Sequence, residues 1–418
     1  MKKVIILGST GSVGRSVLDV AWRWRSRIKV VGLAGWSSAS LLSSQIEKFS
    51  PSAVALGSPL SSRVAVAAGT VAAGTVAAGF SLRKQRSSLI PDPRTNLESH
   101  LKRLSPRKRP KVYYGINGIT QLIRDTDADI VFSCLVGTPG LDATLTVLRL
   151  GINIALANKE IMVMAGQHIM RTAARYGATV IPIDSEHSAI FQLLRGLPPG
   201  SVRRLILTAS GGPFWKKETV SRNISPREAL KHPTWKMGPK ISVDSATMFN
   251  KGLEVIEAHH LFGLAQENIG LTVQRRSYIH GMVELVDGAI LAYAAKPDMR
   301  LPIQFAMSYP EHWEGGGWGL ELGRPVSMDL EPLDASRFPC LKIVLDAAHR
   351  GGVIPAAVSA ADSVAVDAFL NGQLTFKDIS RVLSVVVART KRGPVSPSLL
   401  ELRKADAAAR RLAQSIIA

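Results

Sequence analysis

KVIILGSTGSVGRS (Lys3–Ser16) decides the fold of the N-terminal part of the chain. Lys3 to Leu7 is a short apolar strand. Gly8, Gly11 and Gly14 follow it as G-x-x-G-x-x-G and open a helical stretch that runs through Leu18 and Ala21. Glycines between a strand and a helix let backbone N–H groups and the helix N-terminus approach a pyrophosphate with no Cβ in the way. The same spacing also suits a purely structural tight turn. A second apolar strand, Ile28–Ala34, lies where a βαβ unit requires it. ADIVFSCLVG (Ala128–Gly137), GINIALANKE (Gly151–Glu160) and ATVIPID (Ala178–Asp184) continue the pattern, with helical segments between them. Strands alternating with helices predict a Rossmann-like, doubly wound parallel sheet over residues 1–184.

Beyond residue 184 the pattern changes. RRLILTASGGPF and SYIHGMVELVDGAILAYAA read as strands and GLEVIEAHHLFGL as a helix, which predicts an α+β domain over 185–308. The Gly/Trp/Pro-rich EHWEGGGWGLELGRP marks a linker over 309–335. The Ala-rich remainder, 336–418, has the period of a small C-terminal helical domain.

The chain has 418 residues, 46% of them hydrophobic, enough to bury a large core. No apolar run approaches the roughly 20 residues that cross a bilayer. The apolar stretch behind the initial MKK is only Val4–Leu7, too short for a signal peptide core. Cys134 and Cys340 give neither a metal spacing nor a disulfide framework, so a reduced, cytoplasmic setting is expected. The net charge of +20 admits nucleic acid, acidic lipid or phosphorylated small ligands as partners. Much of the excess sits in RKQRSSLIPDPRTNLESHLKRLSPRKRPK (Arg83–Lys111), behind the repeat AAGTVAAGTVAAG (Ala67–Gly79). This composition predicts a solvated, low-complexity insertion over about 60–111. Its scarcity of aromatic residues argues against a nucleic-acid-binding arm.

Dinucleotide sites specific for NAD carry an acid at the end of the second strand, for the ribose 2′-hydroxyl. Here that end reads Gly35, Trp36, Ser37, Ser38, an uncharged and hydroxyl-rich turn that favours NADPH.

A second polar concentration begins at IPIDSEHSAIFQ (Ile181–Gln192). Strand alternation would send Asp184 and Glu186 to one side and Ser185 to the other. Paired carboxylates call for a cation or a shared proton, and their oxygens suit Mg²⁺ or Mn²⁺. The alternative is a solvated turn that caps a helix. SGGPF (Ser210–Phe214), KHPTWKMGPK (Lys231–Lys240) and SVDSATMFNKGLEVIEAHHLF (Ser242–Phe262) extend the polar run. Ser245, Asn250 and Lys251 are anion-binding types near the start of a helix, and Glu254 lies about one turn past Lys251. His259 and His260 read as packing or surface residues.

These stretches, together with GSTGSVGRS, ALANKE, KPDMRLPI and RFPCLK, resemble the 1-deoxy-D-xylulose 5-phosphate reductoisomerase family of the non-mevalonate isoprenoid pathway. The resemblance implies an NADPH-binding domain, a catalytic domain with a mobile flap over 231–240, a C-terminal helical domain and a homodimer. Asp184, Glu186 and Glu254 match the family's metal carboxylates, for Mg²⁺ or Mn²⁺ with Co²⁺ as a third candidate. Ser185, Ser210, His232, Ser245, Asn250 and Lys251 match its substrate contacts, with Ser210, Ser245, Asn250 and Lys251 around the phosphate. Thr10, Gly11, Ser12 and Val13 match the pyrophosphate loop. Asn158 and Glu160 match the nicotinamide side, Lys159 a lysine near substrate, Gly238 a flap residue, and Trp235 the indole that closes over the substrate. His187 is left with an orienting role.

The sequence departs from the family's usual runs at several places. N-A-A-N-E is S-A-A-D-S (Ser359–Ser363), H-P-Q-S is Q-R-R-S (Gln274–Ser277), Ile161 follows ALANKE in place of serine, and Trp36 replaces a basic turn. The first two are expected to bear on domain packing or the dimer interface, and the basic segment before Lys111 looks foreign to the family. The implied reaction converts 1-deoxy-D-xylulose 5-phosphate to 2-C-methyl-D-erythritol 4-phosphate. Two rival readings are a simple NADPH-dependent carbonyl reductase and a basic NADPH-binding or nucleic-acid-associated protein on the same scaffold. Neither nucleic acid nor membrane is the expected partner.

Overall fold

A computed structural model describes residues 1–57, 93–216, 224–323 and 325–418. Seven strands, β1 (Lys2–Leu7), β2 (Ile28–Gly35), β3 (Ala53–Leu56), β4 (Lys111–Tyr114), β5 (Ile130–Ser133), β6 (Asn153–Leu156) and β7 (Val180–Pro182), form one sheet. Their order is β4-β3-β2-β1-β5-β6-β7, the doubly wound pattern expected from the alternation. The strands are parallel where they pair (β1 with β2, β2 with β3, β3 with β4, β6 with β7), and apart from β4 at the edge most of their residues are buried.

The chain folds as two compact units, Met1–Val131 and Phe132–Ala418. The division between these units falls inside β5. The reason lies in the second unit, where the helix Lys159–Tyr176, which follows β6, packs on the helices Phe249–Phe262 and Ile354–Leu370.

In the first unit, part of the span read as low-complexity lies among the described residues and is helical. Pro93–Arg103 is a helix, packed on the helix Ala39–Phe49. Leu97 and Leu101, one turn apart, form its buried stripe, and every other apolar cue in that highly basic stretch is missing. Residues 58–92, with the Ala/Gly/Thr/Val repeat, lie outside the described residues.

The second unit adds a mixed sheet in the order β11-β10-β8-β9-β12, made of β8 (Val202–Ala209), β9 (Ile269–Val273), β10 (Ile279–Leu285), β11 (Ile290–Ala294) and β12 (Glu331–Pro332). β8 and β9 are parallel, and β10 runs antiparallel to both β8 and β11. The expected linker 309–335 thus contributes an edge strand, β12, whose Glu331 and Pro332 face Val273 and Thr272. The expected C-terminal helical domain is four long helices, Pro339–Arg350, Ile354–Leu370, Asp378–Arg389 and Leu399–Ile417. They share one apolar core with Phe249, Leu253 and Ile256 of the catalytic region. At Gly252 a Cβ would fall 1.8 Å from Val344 Cγ1, so the Val344 side chain packs directly on the backbone of the helix Phe249–Phe262. No helix among the described residues is long and apolar enough to cross a membrane.

Candidate active site

The glycine loop in the first unit is fixed by its own backbone. Gly8 sits at φ +82°, and Gly11 N–H donates to its carbonyl at 3.0 Å. A Cβ on Gly14 would fall 2.2 Å from that same oxygen, so the third glycine is a steric requirement of the turn. Ser9 locks the loop to the helix Ala39–Phe49 through Gln45, donating from Oγ at 2.7 Å and accepting from Gln45 Nε2 at 2.9 Å. The helix Ser12–Arg23 has no acid in its first turn, and no side chain among the described residues caps it at Gly11. The Ser12 and Val13 amides and the helix dipole are arranged for an anion. Gly35, at the end of β2, lies against Thr10, and Trp36 lies across Gly57, where a Cβ would meet the ring at 2.6 Å. Ser37 and Ser38 lead into the next helix.

In the second unit, two neighbouring strand ends build a charged cluster. β6 and β7 are parallel, with Leu156 opposite Pro182. Each is followed within three residues by a helix start. Asn158 caps the first helix by accepting from Ile161 N–H, and it donates to Gly137 O at 2.8 Å. Asp184 stands at the cap position of the helix Ser185–Leu193. Equivalent places after adjacent strands bring Lys159 Nζ within 2.6 Å of Asp184 Oδ2. Asp184 and Glu186 do converge, but not by strand alternation, because Ser185 and Glu186 are already helical. Asp184 is the last extended residue, at ψ 133°, and the turn into the helix brings the two acids together.

Glu254, on the helix Phe249–Phe262, completes the group. Oxygens of Asp184, Glu186 and Glu254 all lie within 4.8 Å of one another. Lys159 Nζ reaches Glu254 Oε1 at 3.2 Å and Asn250 Oδ1 at 2.7 Å, and Asn250 Nδ2 donates to Glu254 Oε1 at 2.6 Å. Lys251 Nζ meets Glu186 Oε1 at 2.8 Å and Thr208 O at 2.6 Å, and it also pairs with Glu254. Asn250 and Lys251, expected at the phosphate, therefore point into the carboxylates.

Burial sets the electrostatics of this cluster. It pushes the Glu254 carboxyl up to about 7, helped by Glu186 and opposed by Lys251 and Lys159. Burial acts the same way on Asp184, but the adjacent Lys159 ammonium outweighs it and holds that carboxyl well below the usual range. Two buried ammonium groups and three carboxylates leave a net negative pocket of hard oxygen donors, which fits a divalent ion of the Mg²⁺ class.

Other residues expected to contact substrate, His232, Ser210 and Ser245, form a separate group. His232 Nδ1 accepts the N–H groups of Thr234 at 3.2 Å and Trp235 at 2.9 Å. The ring is therefore a neutral Nε2–H tautomer, which donates to Ser210 Oγ at 2.9 Å. Burial, then the charge of Arg275, pushes His232 down to about 4, so it stays neutral at physiological pH. Ser210 Oγ also accepts from Gly212 N–H at 3.2 Å, which leaves its own hydrogen to give away. Gly211 and Gly212 both adopt positive φ. A Cβ on Gly212 would lie 2.6 Å from Ser245 O, so the Ser210–Gly212 loop rests on Ser245. Ser185 bonds Glu186. The Trp235 ring stands edge-on to His280 at 6.1 Å. Gly238 begins the helix Pro239–Ala246, and nearby Glu160 lies 3.8 Å from Lys240.

Three partners escaped the sequence reading, two of them, Glu257 and Asp362, fully buried. Glu257 sits one turn past Glu254, facing His187 Nδ1 at 3.7 Å, while His187 Nε2 donates to Glu254 O at 2.9 Å. His187 thus ties its own helix to the one that carries Glu254 and Glu257, and the i+3 spacing was the available signal for Glu257. Asp362, in the altered S-A-A-D-S run, lies 2.9 Å from Lys240, which also binds Asp244 at 2.5 Å. Arg275, in Q-R-R-S, bonds the Ser210 carbonyl. Both departures thus fall beside functional elements of the chain. His259 and His260 do pack, His259 on Leu264 O and His260 on Gly166.

A family model described as 1-deoxy-D-xylulose 5-phosphate reductoisomerase matches residues 4–79 and 84–166, and models of that enzyme's C-terminal domains match 180–262 and 294–412. The basic segment before Lys111 is therefore not foreign to the family, since only 80–83 fall outside the first match. The chain is 40% identical over 418 residues to 1-deoxy-D-xylulose 5-phosphate reductoisomerase of Thermodesulfovibrio yellowstonii, covering 100% of both. It is 41% identical to that of Chlorobium chlorochromatii over 92% of this chain and 91% of the other. Among solved structures, DOX-P reductoisomerase in complex with NADPH, fosmidomycin and magnesium superposes with a TM-score of 0.84 at 32% identity, covering 100% of this chain and 98% of that one. The Zymomonas mobilis enzyme with NADPH gives 0.81 at 33%, covering 100% and 99%. With these models matching most of its length and relatives about 40% identical over the whole of it, this protein belongs to the 1-deoxy-D-xylulose 5-phosphate reductoisomerase family.

Proposed function

We propose that the protein converts 1-deoxy-D-xylulose 5-phosphate, NADPH and a proton to 2-C-methyl-D-erythritol 4-phosphate and NADP⁺, with Mg²⁺ or Mn²⁺ held by Asp184, Glu186 and Glu254. The observation that carries this reading is the convergence of those three carboxylates at neighbouring strand and helix ends, in a chain of this family. When bound, the divalent ion supplies Lewis acidity toward the ketone and its neighbouring hydroxyl, and NADPH supplies hydride to the rearranged aldehyde.

The chain's own residues bind, orient and exclude water. Thr10, Gly11, Ser12 and Val13 offer backbone donors to the dinucleotide pyrophosphate, while Gly35, Trp36 and Ser37 line its ribose side without an acid to repel a 2′-phosphate. Asn158, Glu160 and Gly238 serve the nicotinamide side. Ser210 gives its free hydroxyl hydrogen to the substrate phosphate, with His232 held neutral behind it, and Ser245 supports the same loop. Lys159 and Asn250 hold Glu254 in place, and Lys251 balances Glu186 and Glu254 beside the phosphate group. Ser185 orients Glu186. Trp235, fixed through its backbone to His232, is the ring that shields the reacting carbons. The working form is a homodimer in the cytoplasm.

Incubation with 1-deoxy-D-xylulose 5-phosphate, NADPH and Mg²⁺, followed by product identification by NMR, tests this assignment. A branched tetritol phosphate supports it. An unbranched pentitol phosphate would make the protein a carbonyl reductase, and no NADPH oxidation with Mg²⁺, Mn²⁺ or Co²⁺ would end the enzymatic reading.

A further inference from the structure

β9 and β10 are consecutive in the chain but lie on opposite sides of β8. The connection between them, Gln274–Tyr278, must arch over the end of β8, where the Ser210–Gly212 loop begins. Gln274 N–H donates to Ala209 O at 2.8 Å, pinning the arch to that strand end. The arch then turns through Ser277, at φ +53°, and its Gln274 Oε1 accepts from Tyr278 N–H at 2.7 Å. This geometry lays the Arg275 side chain over the loop. Nη1 bonds Ser210 O at 2.5 Å and Gly212 O at 3.2 Å, bridging the two ends of a turn that contains two left-handed glycines. The guanidinium is close enough to His232 to contribute to its low pKa, and Ser277 Oγ lies 3.4 Å from Thr234 Oγ1 at the base of the flap.

Within the function proposed above, we infer that Arg275 is a specificity-determining residue for the phosphate end of the substrate. It has two effects. Its Nη1 freezes the Ser210 carbonyl, so the Ser210 hydroxyl keeps one direction. Its fixed positive charge sits beside a pocket whose histidine is neutral and whose lysines are committed to carboxylates. A guanidinium remains charged at any working pH, and its planar fork suits carbonyl and phosphate oxygens together. The ligand chemistry is a phosphate monoester dianion.

The test compares the wild type with R275Q and R275K, using steady-state kinetics and titration calorimetry with inorganic phosphate. R275Q should raise the substrate KM about ten-fold or more and weaken phosphate binding in parallel, with kcat within a few-fold and NADPH affinity unchanged. R275K should recover much of the phosphate affinity, because it restores the charge. An R275Q protein that melts like the wild type and keeps its KM and phosphate affinity would overturn the assignment. Equal losses in R275K and R275Q would also overturn it, by showing that the carbonyl bridge alone matters. If the wild type fails to turn over the sugar phosphate, the function proposed above falls, while phosphate calorimetry on the same three proteins still decides the role of Arg275.

Discussion

Replacing Lys251 by Met tests the charge balance of the site most directly. The substitution keeps most of the side-chain volume and removes the ammonium. That ammonium lies 2.8 Å from Glu186 Oε1, a gross attraction of about 6 kcal/mol at an effective dielectric of about 20. Desolvation cancels part of it, so the net cost is better taken from buried pairs that lose one partner, about 3–5 kcal/mol. The melting temperature in EDTA should fall by roughly 3–6 °C for a chain of this length. The loss should grow with pH. Glu254 has a folded pKa raised to about 7, so the stability it contributes at acid pH is lost as pH rises through that value. Lys251 opposes the rise, and without it Glu254 and Glu186 repel more strongly once both are ionised. Saturating Mg²⁺ should restore more stability to the variant than it gives the wild type, because the ion then replaces a missing charge. Scanning calorimetry in EDTA and in Mg²⁺, at acid and alkaline pH, reads all three effects. A variant that melts with the wild type in EDTA, or gains no more than the wild type from Mg²⁺, would refute this account of the cluster.

Glu254→Gln keeps the volume of the third carboxylate and removes its charge, so Mg²⁺ affinity measured by calorimetry should weaken and turnover fall by orders of magnitude. Unchanged Mg²⁺ binding would remove Glu254 from the ligand set. Catalytic efficiency should be higher with NADPH than with NADH, since no acid follows Ala34 and Ser37 and Ser38 can meet a 2′-phosphate; equal efficiencies would contradict that. Asp362→Asn should stabilise the protein, increasingly so as pH rises. Burial raises both Asp362 and Asp244, and acids whose folded pKa is raised lose stability as pH climbs through it. A melting difference that stays constant across pH would show that Lys240 already neutralises the pair.

What the sequence reveals of this protein divides by range. The glycine loop is legible because its constraint is local: Gly14 is required by the carbonyl of Gly8, six residues earlier. The acidic strand end is legible as a pair, yet alternation gives the wrong cause, because the helix starts at Ser185 and not beyond Glu186. Composition hides the helix Pro93–Arg103, where two leucines make the whole buried face amid proline and basic residues. The turn of Asn250 and Lys251 toward the carboxylates is not legible at all, since it depends on Lys159 and Glu186 arriving from other strand ends.

The same distinction explains why two departures from the family's usual runs carry more than their positions suggest. As sequence, S-A-A-D-S and Q-R-R-S look like drift in packing segments. In the fold, the first puts a fully buried carboxylate 2.9 Å from Lys240, at the start of the helix that ends with Ser245 and Ala246. The second puts a guanidinium on the backbone of the loop that carries Ser210. One change moves the acid of the run from position 363 to the fully buried position 362, and the other adds a base beside the loop that carries Ser210. Each acts through a neighbour already tied to the site, Lys240 to Glu160 and Arg275 to Ser210. On the function proposed above, a chain with all three converging carboxylates can therefore still differ in its hold on a substrate phosphate and on the segment 231–240. Those are the properties that a KM for the sugar phosphate and a pH-dependent melt read separately.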